Sequence, residues 1–211
     1  MNATKYPQSC LVLEKDGRRI LIDPGSFMAG KFSAGDLPEL NAIFLTHRHP
    51  DHADADFIRS VLAKKSVPVY GNPDTKELLG ELVSDIIEPG QSVETASFSV
   101  KAYDMPHCPM PDGSAGPPNN GYVFDQSFLH AGDGVSVEGL QVENAAVAIA
   151  GPDISLRDAA DLIKSIGAKK VIPVHYSIFS DEKPMSAVGL VKKGATDVEM
   201  VVLANAESTS L

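Results

Sequence analysis

The chain has 211 residues, 43% of them hydrophobic and 22% charged, with a formal net charge of −10. That length buries well over half of its unfolded surface as a single domain spanning 1–211 without a disulfide framework, and two cysteines, Cys10 and Cys108, suit a reducing, cytoplasmic compartment. The acidic balance and the scattering of the basic pairs Arg18-Arg19, Lys64-Lys65, Lys169-Lys170 and Lys192-Lys193 argue against a nucleic-acid partner, and the lack of an apolar signal segment or spanning run argues against a membrane one.

In chain order, Ser9-Cys10-Leu11-Val12-Leu13 and Arg19-Ile20-Leu21-Ile22 are strand-like, with Asp16-Gly17 as the hairpin turn between them. The second run ends in Asp23-Pro24-Gly25, a breaker cluster. Asp23 is there either as a turn residue bonded to its own backbone or as a carboxylate that orients a metal-binding imidazole from behind. Residues 26–40 form a loop whose apolar members Phe27, Met28 and Phe32 pack onto the body of the protein.

The apolar run Ala42-Ile43-Phe44-Leu45 then opens into Thr46-His47-Arg48-His49-Pro50-Asp51-His52, which holds three of the six histidines and a carboxylate. Imidazole and carboxylate suit borderline divalent metals such as zinc, manganese or iron. The spacing is not helical, because two histidines on one helix face would stand four apart, and Pro50 pushes His49 toward an extended conformation. In an extended strand end, His47 and His49 point the same way and grip one ion. The turn after Pro50 presents Asp51 and His52 to a second. The alternative is a histidine-rich surface loop with no metal.

Thr-His-x-His-x-Asp-His after a buried strand resembles the signature of the metallo-β-lactamase superfamily, and Ile20-Leu21-Ile22-Asp23-Pro24-Gly25 resembles the strand end beneath that family's metal site. In such proteins an early loop often covers substrate, which gives Phe27, Met28 and Phe32 a second possible duty as an apolar wall.

Beyond the motif, Phe57, Ile58, Val61 and Leu62 mark a helix closed by Lys64-Lys65, with Asp54 and Asp56 at its start. Val67-Pro68-Val69-Tyr70 is a short strand, 74–83 a helix begun near Pro73, and 85–104 a strand meander. Met105-Pro106-His107-Cys108-Pro109 opens a Pro-, Gly- and Asn-rich surface loop. The superfamily's third histidine occupies such a place, so the resemblance makes His107 a ligand. Cys108 reads as a small buried residue, with a thiolate ligand as the alternative, and Asn119 and Asn120 as turn residues rather than substrate contacts.

Tyr122-Val123-Phe124 and Phe128-Leu129-His130 make a hairpin about Asp125-Gln126-Ser127, running into Gly132-Asp133-Gly134. The superfamily carries a Gly-Asp here whose aspartate bridges two metals. β-Lactamases proper typically have cysteine at that position, so Asp133 argues against antibiotic hydrolysis. By strand alternation His130 faces away from Asp133 and is either packed or a support behind the ligands, rather than ligating. Ala145 to Ala150 is a buried strand ending at Gly151-Pro152. Ser155 and Asp158 form a capping box for a helix through Ile166, with Gly167 after its end. Lys170-Val171-Ile172-Pro173-Val174 then leads to His175 by a right-handed crossover, and Val-Ile-Pro-Val-His-Tyr resembles the family's last metal histidine. The tail offers a short helix and a strand over Val198 to Leu203.

The resemblance covers nearly the whole chain, and is nearest to uncharacterised metal-dependent hydrolases and ascorbate-phosphate lactonases. It implies a four-layer αββα sandwich with a dinuclear metal site at one edge of the sheets. His47, His49 and His107 would hold the first ion, Asp51, His52 and His175 the second, with Asp133 bridging and Asp51 and Asp133 as the catalytic carboxylates. Zinc is the first expectation, manganese or iron the alternatives. Such a centre hydrolyses carbonyl or phosphoryl compounds without a Ser or Cys nucleophile. The first expectation is a small-molecule lactone or related ester, anionic in preference because the site is net positive. The alternatives are a phosphodiesterase or nuclease, a one-iron persulfide dioxygenase, and a non-catalytic metal-binding protein. Tyr176 and the 109–120 loop are the specificity candidates. One departure stands out: Pro7-Gln8-Ser9 occupies the place where lactonase-like relatives often carry Gly-His-Ser.

Overall fold

A computed structural model describes residues 1–151, 154–177 and 182–211. Its strands fall into two seven-stranded sheets. In the first half of the chain come β1 (Asn2–Lys5), β2 (Leu11–Lys15), β3 (Arg18–Ile22), β4 (Ala42–Phe44), α1 (Ala55–Lys64), β5 (Val69–Gly71), α2 (Pro73–Leu79) and β6 (Asp85–Ile86). The second half holds β7 (Ser92–Thr95), β8 (Phe98–Asp104), β9 (Asn120–Phe124), β10 (Phe128–His130), β11 (Asn144–Ala148), α3 (Leu156–Ser165), β12 (Lys170–Val174), α4 (Met185–Gly194), β13 (Glu199–Met200) and β14 (Ser208–Ser210). The sheet orders are β14-β1-β2-β3-β4-β5-β6 and β13-β12-β11-β10-β9-β8-β7.

Three apolar clusters show the layering. Leu11, Leu13, Ile20, Ile22 and Phe44 of the first sheet meet Phe98, Val100, Tyr122, Phe124, Ala146 and Ile172 of the second. The opposite face of the first sheet, with Val12, Leu21 and Ile43, packs against Phe57, Ile58 and Val61 of α1. That of the second, with Val147 and Val171, packs against Ala159, Leu162 and Ile163 of α3 and Val188 and Val191 of α4. Strand alternation thus feeds two faces of each sheet, and the result is an αββα sandwich.

Topology delivers the strand ends to one edge. β3, β4 and β5 are mutually parallel, as are β10, β11 and β12. Two antiparallel steps, β8 to β9 and β9 to β10, make β8 run with β10. The residues that follow β3, β4, β8, β10 and β12 therefore emerge together, and these include Asp23, His47, His107, Asp133 and His175. Between the layers, the N–H of Asn120 donates to the carbonyl of Thr46 (2.9 Å) and the Tyr122 hydroxyl to that of Leu45 (3.0 Å), so the two sheets are pinned together beside the site.

Several local expectations need correction. The first predicted strand starts at Leu11, not Ser9, and an unpredicted strand, β1, precedes it and pairs with the equally unpredicted β14. The helix expected over 74–83 ends at Leu79, where Gly80 adopts a positive φ, and a single 3-10 turn follows. The expected meander divides: β6 joins the first sheet, while β7 and β8 open the second. Of the strand expected over Val198 to Leu203, only Glu199–Met200 pairs, as β13. Asn120 lies inside β9 and Asn119 is equally buried, so neither is a solvated turn residue. The capping box is present, with Ser155 Oγ accepting from the Asp158 N–H and the Asp158 carboxylate accepting from that of Ser155. Of the dipeptide expected to end β11, Pro152 lies outside the described residues.

Phe44 is fully buried between the sheets, stacked on Tyr70 at 4.6 Å and edge-on to Tyr122 and Phe124. Phe44→Ala is expected to cost about 3–5 kcal/mol of stability. Urea unfolding measures it, and a loss below about 1 kcal/mol would contradict the packing described.

Candidate metal centre

The structure brings all seven expected side chains together. Their donor atoms fall into two groups, one of His47, His49, His107 and Asp133 and the other of Asp51, His52 and His175, each within 4.8 Å throughout. In the first, His49 Nδ1 lies 3.1 Å from His47 Nε2 and 3.2 Å from His107 Nε2. In the second, His175 Nε2 lies 3.1 Å and His52 Nε2 3.9 Å from Asp51 Oδ2. Asp133 faces both: its Oδ2 is 3.5 Å from His107 Nε2 and 3.2 Å from His175 Nε2, while its Oδ1 is 3.2 Å from His52 Nε2.

Four of the five imidazoles are anchored from behind. His47 Nδ1 donates to Thr46 Oγ1 (3.0 Å), whose own proton goes to Asp23 Oδ2 (2.7 Å). His52 Nδ1 donates to Asp23 Oδ2 (2.8 Å), His107 Nδ1 to the carbonyl of Cys108 (2.6 Å), and His175 Nδ1 to that of Ala150 (2.6 Å). These bonds place a proton on the rear nitrogen of each ring and turn its Nε2 inward, as the atom that would meet an ion. Burial, reinforced by neighbouring imidazoles, holds His47 well below its ordinary range, and His49 is lowered for the same first reason. Three imidazole nitrogens, from His47, His49 and His107, converge at about 3 Å on one point, an arrangement that fits a cation. A tetrahedral ion with bonds of about 2.1 Å separates its donors by about 3.4 Å, which matches these spacings. His52 Nε2 and Asp133 Oδ1 are moreover buried and face each other at 3.2 Å without the geometry of a hydrogen bond, and a coordinated ion would satisfy both.

Asp23 does not cap its own turn with its side chain. Its carboxylate accepts from Thr46 N–H (2.8 Å), Thr46 Oγ1 and His52 Nδ1, which fits the orienting reading. Asn119 is an equivalent support on the other sheet. Its Nδ2 donates to the carbonyls of Met105 and Ala131 (both 3.0 Å), and its Oδ1 accepts from Asp133 N–H (3.3 Å). Gly132, at φ +57, leaves room for this: a Cβ there would lie 2.3 Å from Asn119 Oδ1. Sequence reasoning missed Asn119 because its loop-like surroundings hide that the ends of β8 and β10, which lead to its partners, close on either side of it. His130 commits both nitrogens to backbone, Nε2 donating to the Ser9 carbonyl (2.8 Å) and Nδ1 accepting from Gly132 N–H (3.2 Å). Tyr176 is buried with its hydroxyl on the Leu203 carbonyl (3.1 Å), and it does not line the cavity at the metal donors, against the expectation that it sets specificity.

That cavity measures about 270 Å³. Its floor is His49, Asp51, His107, Asp133 and His175, and its walls are apolar, with Phe27, Pro50, Met110 and Ile154. Met28, by contrast, is wholly buried, so the early loop both packs onto the body of the protein and contributes Phe27 to the cavity wall.

Comparison with known proteins agrees with this geometry. Residues 2–175 match the family described as a Beta-lactamase superfamily domain. The chain belongs to the metallo-β-lactamase superfamily. A protein of Mycobacterium tuberculosis is 29% identical over 86% of this chain and 87% of its own length. A UPF0173 metal-dependent hydrolase of Thermoplasma volcanium is 31% identical over 82% of each. Among solved structures, the metallo-β-lactamase fold protein YhfI from Bacillus subtilis superimposes with a TM-score of 0.74 at 16% identity, covering 99% of this chain and 98% of that one. The protein is a metal-dependent hydrolase of this superfamily. No described helix is long and apolar enough to cross a membrane.

Electrostatics in the ion-free site predict what metal uptake displaces. Burial would lower both His52 and His175. At His52 the carboxylates of Asp133 and Asp23 outweigh it and hold the ring well above its ordinary range, and Asp133 with Asp51 raises His175 to about 9. Burial would likewise raise Asp133 and Asp51, yet the imidazoles of His52 and His175 hold both below the ordinary carboxylate range. His175 is thus protonated at neutral pH without an ion, and a metal ion requires it neutral. Zinc binding at pH 7 is expected to release protons, and the release is expected to shrink as pH rises through about 9. Indicator titration in weak buffer measures it. Uptake at pH 7 without proton release would contradict the site electrostatics.

Proposed function

We propose that the protein hydrolyses a small ester or lactone with an apolar body and an anionic group, at a centre of two divalent ions. His47, His49 and His107 would hold one ion, Asp51, His52 and His175 the other, and Asp133 would bridge. The carrying observation is Asp133, whose two oxygens lie within 3.2–3.5 Å of imidazoles in both groups. Five imidazoles and two carboxylates form a donor set suited to zinc, with manganese and iron as alternatives. Bound there, two such ions would lower the pKa of a water and neutralise charge developing on the substrate's carbonyl oxygen.

The chain's own residues supply the rest. Phe27, Pro50, Met110 and Ile154 would enclose the substrate's apolar body and keep bulk water from the reacting carbonyl. A volume of about 270 Å³ suits a small molecule. Asp51 and Asp133 are the carboxylates among the described lining residues, and a carboxylate oxygen there would accept a hydrogen bond from the attacking water and orient it toward the carbonyl. Two carboxylates against two divalent ions leave the centre net positive, which favours an anionic group beside the ester. The described cavity lining contains no Lys or Arg, so a phosphodiester would find no side-chain cation there.

The test is a panel of zinc-loaded assays with a lactone, an aliphatic ester, its carboxylated analogue, a thioester and a phosphodiester. The carboxylated ester or the lactone is expected to exceed the phosphodiester in kcat/KM by about tenfold or more, equivalent to about 1.4 kcal/mol in transition-state binding. Faster turnover of the phosphodiester would move the protein to the nuclease-like reading.

A further inference from the structure

Gln8 lies in the corner between β1 and β2, wholly buried, at φ 61. Its backbone carbonyl accepts from the N–H of His175 (3.1 Å), and its own N–H donates to Ser177 Oγ (2.9 Å). Its carboxamide Nε2 donates to Asp51 Oδ2 (2.9 Å). The corner therefore holds two of the three donors in one group, Asp51 through a side chain and His175 through its backbone. His175 itself stands at φ 64, so two non-glycine residues in the left-handed region are bonded to each other at this point.

Two features of Gln8 are unfavourable in themselves. A glutamine in the left-handed region is strained, and its Oε1 is buried without a hydrogen-bond partner. An apolar side chain would avoid the second cost, and among the described residues the hydrogen bond made by this carboxamide is to Asp51. Among the described residues, the other close polar neighbours of that carboxylate are the imidazoles of His52 and His175, the remaining members of its donor group. Gln8 is also absent from the described lining of the cavity, so it does not meet substrate.

We propose that Gln8 is a positioning residue for the Asp51–His175 half of the centre: its amide N–H fixes Asp51 Oδ2, so that the carboxylate meets an ion in one orientation. This rests on the two-ion reading above. Without the amide, Asp51 is restrained by its own co-ligands alone, and the ion must order it on binding.

The experiment is a zinc competition titration against a chromophoric chelator, resolving two affinities per chain, with circular dichroism and thermal unfolding of the ion-free protein alongside. Gln8→Met keeps the length and removes the donor. It is expected to weaken one affinity about 10–100-fold and leave the other within about threefold. Gln8→His restores an N–H donor on a residue that tolerates the left-handed region, and is expected to return the weakened affinity to within about threefold of wild type. If Gln8→Met does not fold, Gln8→His carries the test, and loss of either affinity in folded Gln8→His overturns the proposal. Two unchanged affinities in Gln8→Met, or an equal fall in both, also overturns it. A wild-type chain that takes up a single ion overturns the two-ion reading and this proposal with it.

Discussion

One buried carboxylate carries the metal-binding edge. Asp23 follows β3, beside the end of β4, and is wholly buried. It gathers the backbone and hydroxyl of Thr46 and the rear nitrogen of His52, while the same Thr46 hydroxyl receives the rear nitrogen of His47. Two imidazoles, one in each donor group, are thus set by one anion. Removing it would leave Thr46 and His52 with unpaired buried donors, and the cost would appear as lost orientation as well as lost stability.

The same economy recurs across the second sheet. Asn119 ties the ends of β8 and β10 to the turn that presents Asp133, and Asn120 and Tyr122 clamp that sheet to the segment entering the histidine motif. Positive φ values cluster here at Gln8, Asp23 and His175. Each marks a place where chain direction must change abruptly as a strand end becomes a site. The backbone strain and the orphaned polar atoms belong to one design: a rigid edge that aims lone pairs at a common point.

Much of this was legible in the sequence because it depends on local chemistry. The His47–His52 cluster follows a short apolar strand, the capping box starts α3, and the apolar periodicity of α1 matches its buried face. What escaped depends on contacts between distant segments. β1 and β14 pair residues about 200 positions apart, through polar sequences that carry no strand signature. Asn119 and Asn120 look like loop composition, and only the fold buries them. Tyr176 follows His175 directly in sequence, yet the chain leaving β12 places it in the core, with its hydroxyl on the Leu203 carbonyl. Gln8 stood out as a departure from a familiar pattern, but its bond to Asp51 spans 43 positions and becomes visible only when both sheets are closed.

The central claim is that seven side chains form two metal positions that share Asp133. It is tested most directly by a crystal of zinc-loaded protein, with anomalous difference maps recorded on both sides of the zinc absorption edge. Two peaks are predicted, one among His47, His49 and His107, the other among Asp51, His52 and His175, with the Asp133 carboxylate between them. A single peak at saturating zinc, or a second one away from Asp133, would contradict the account.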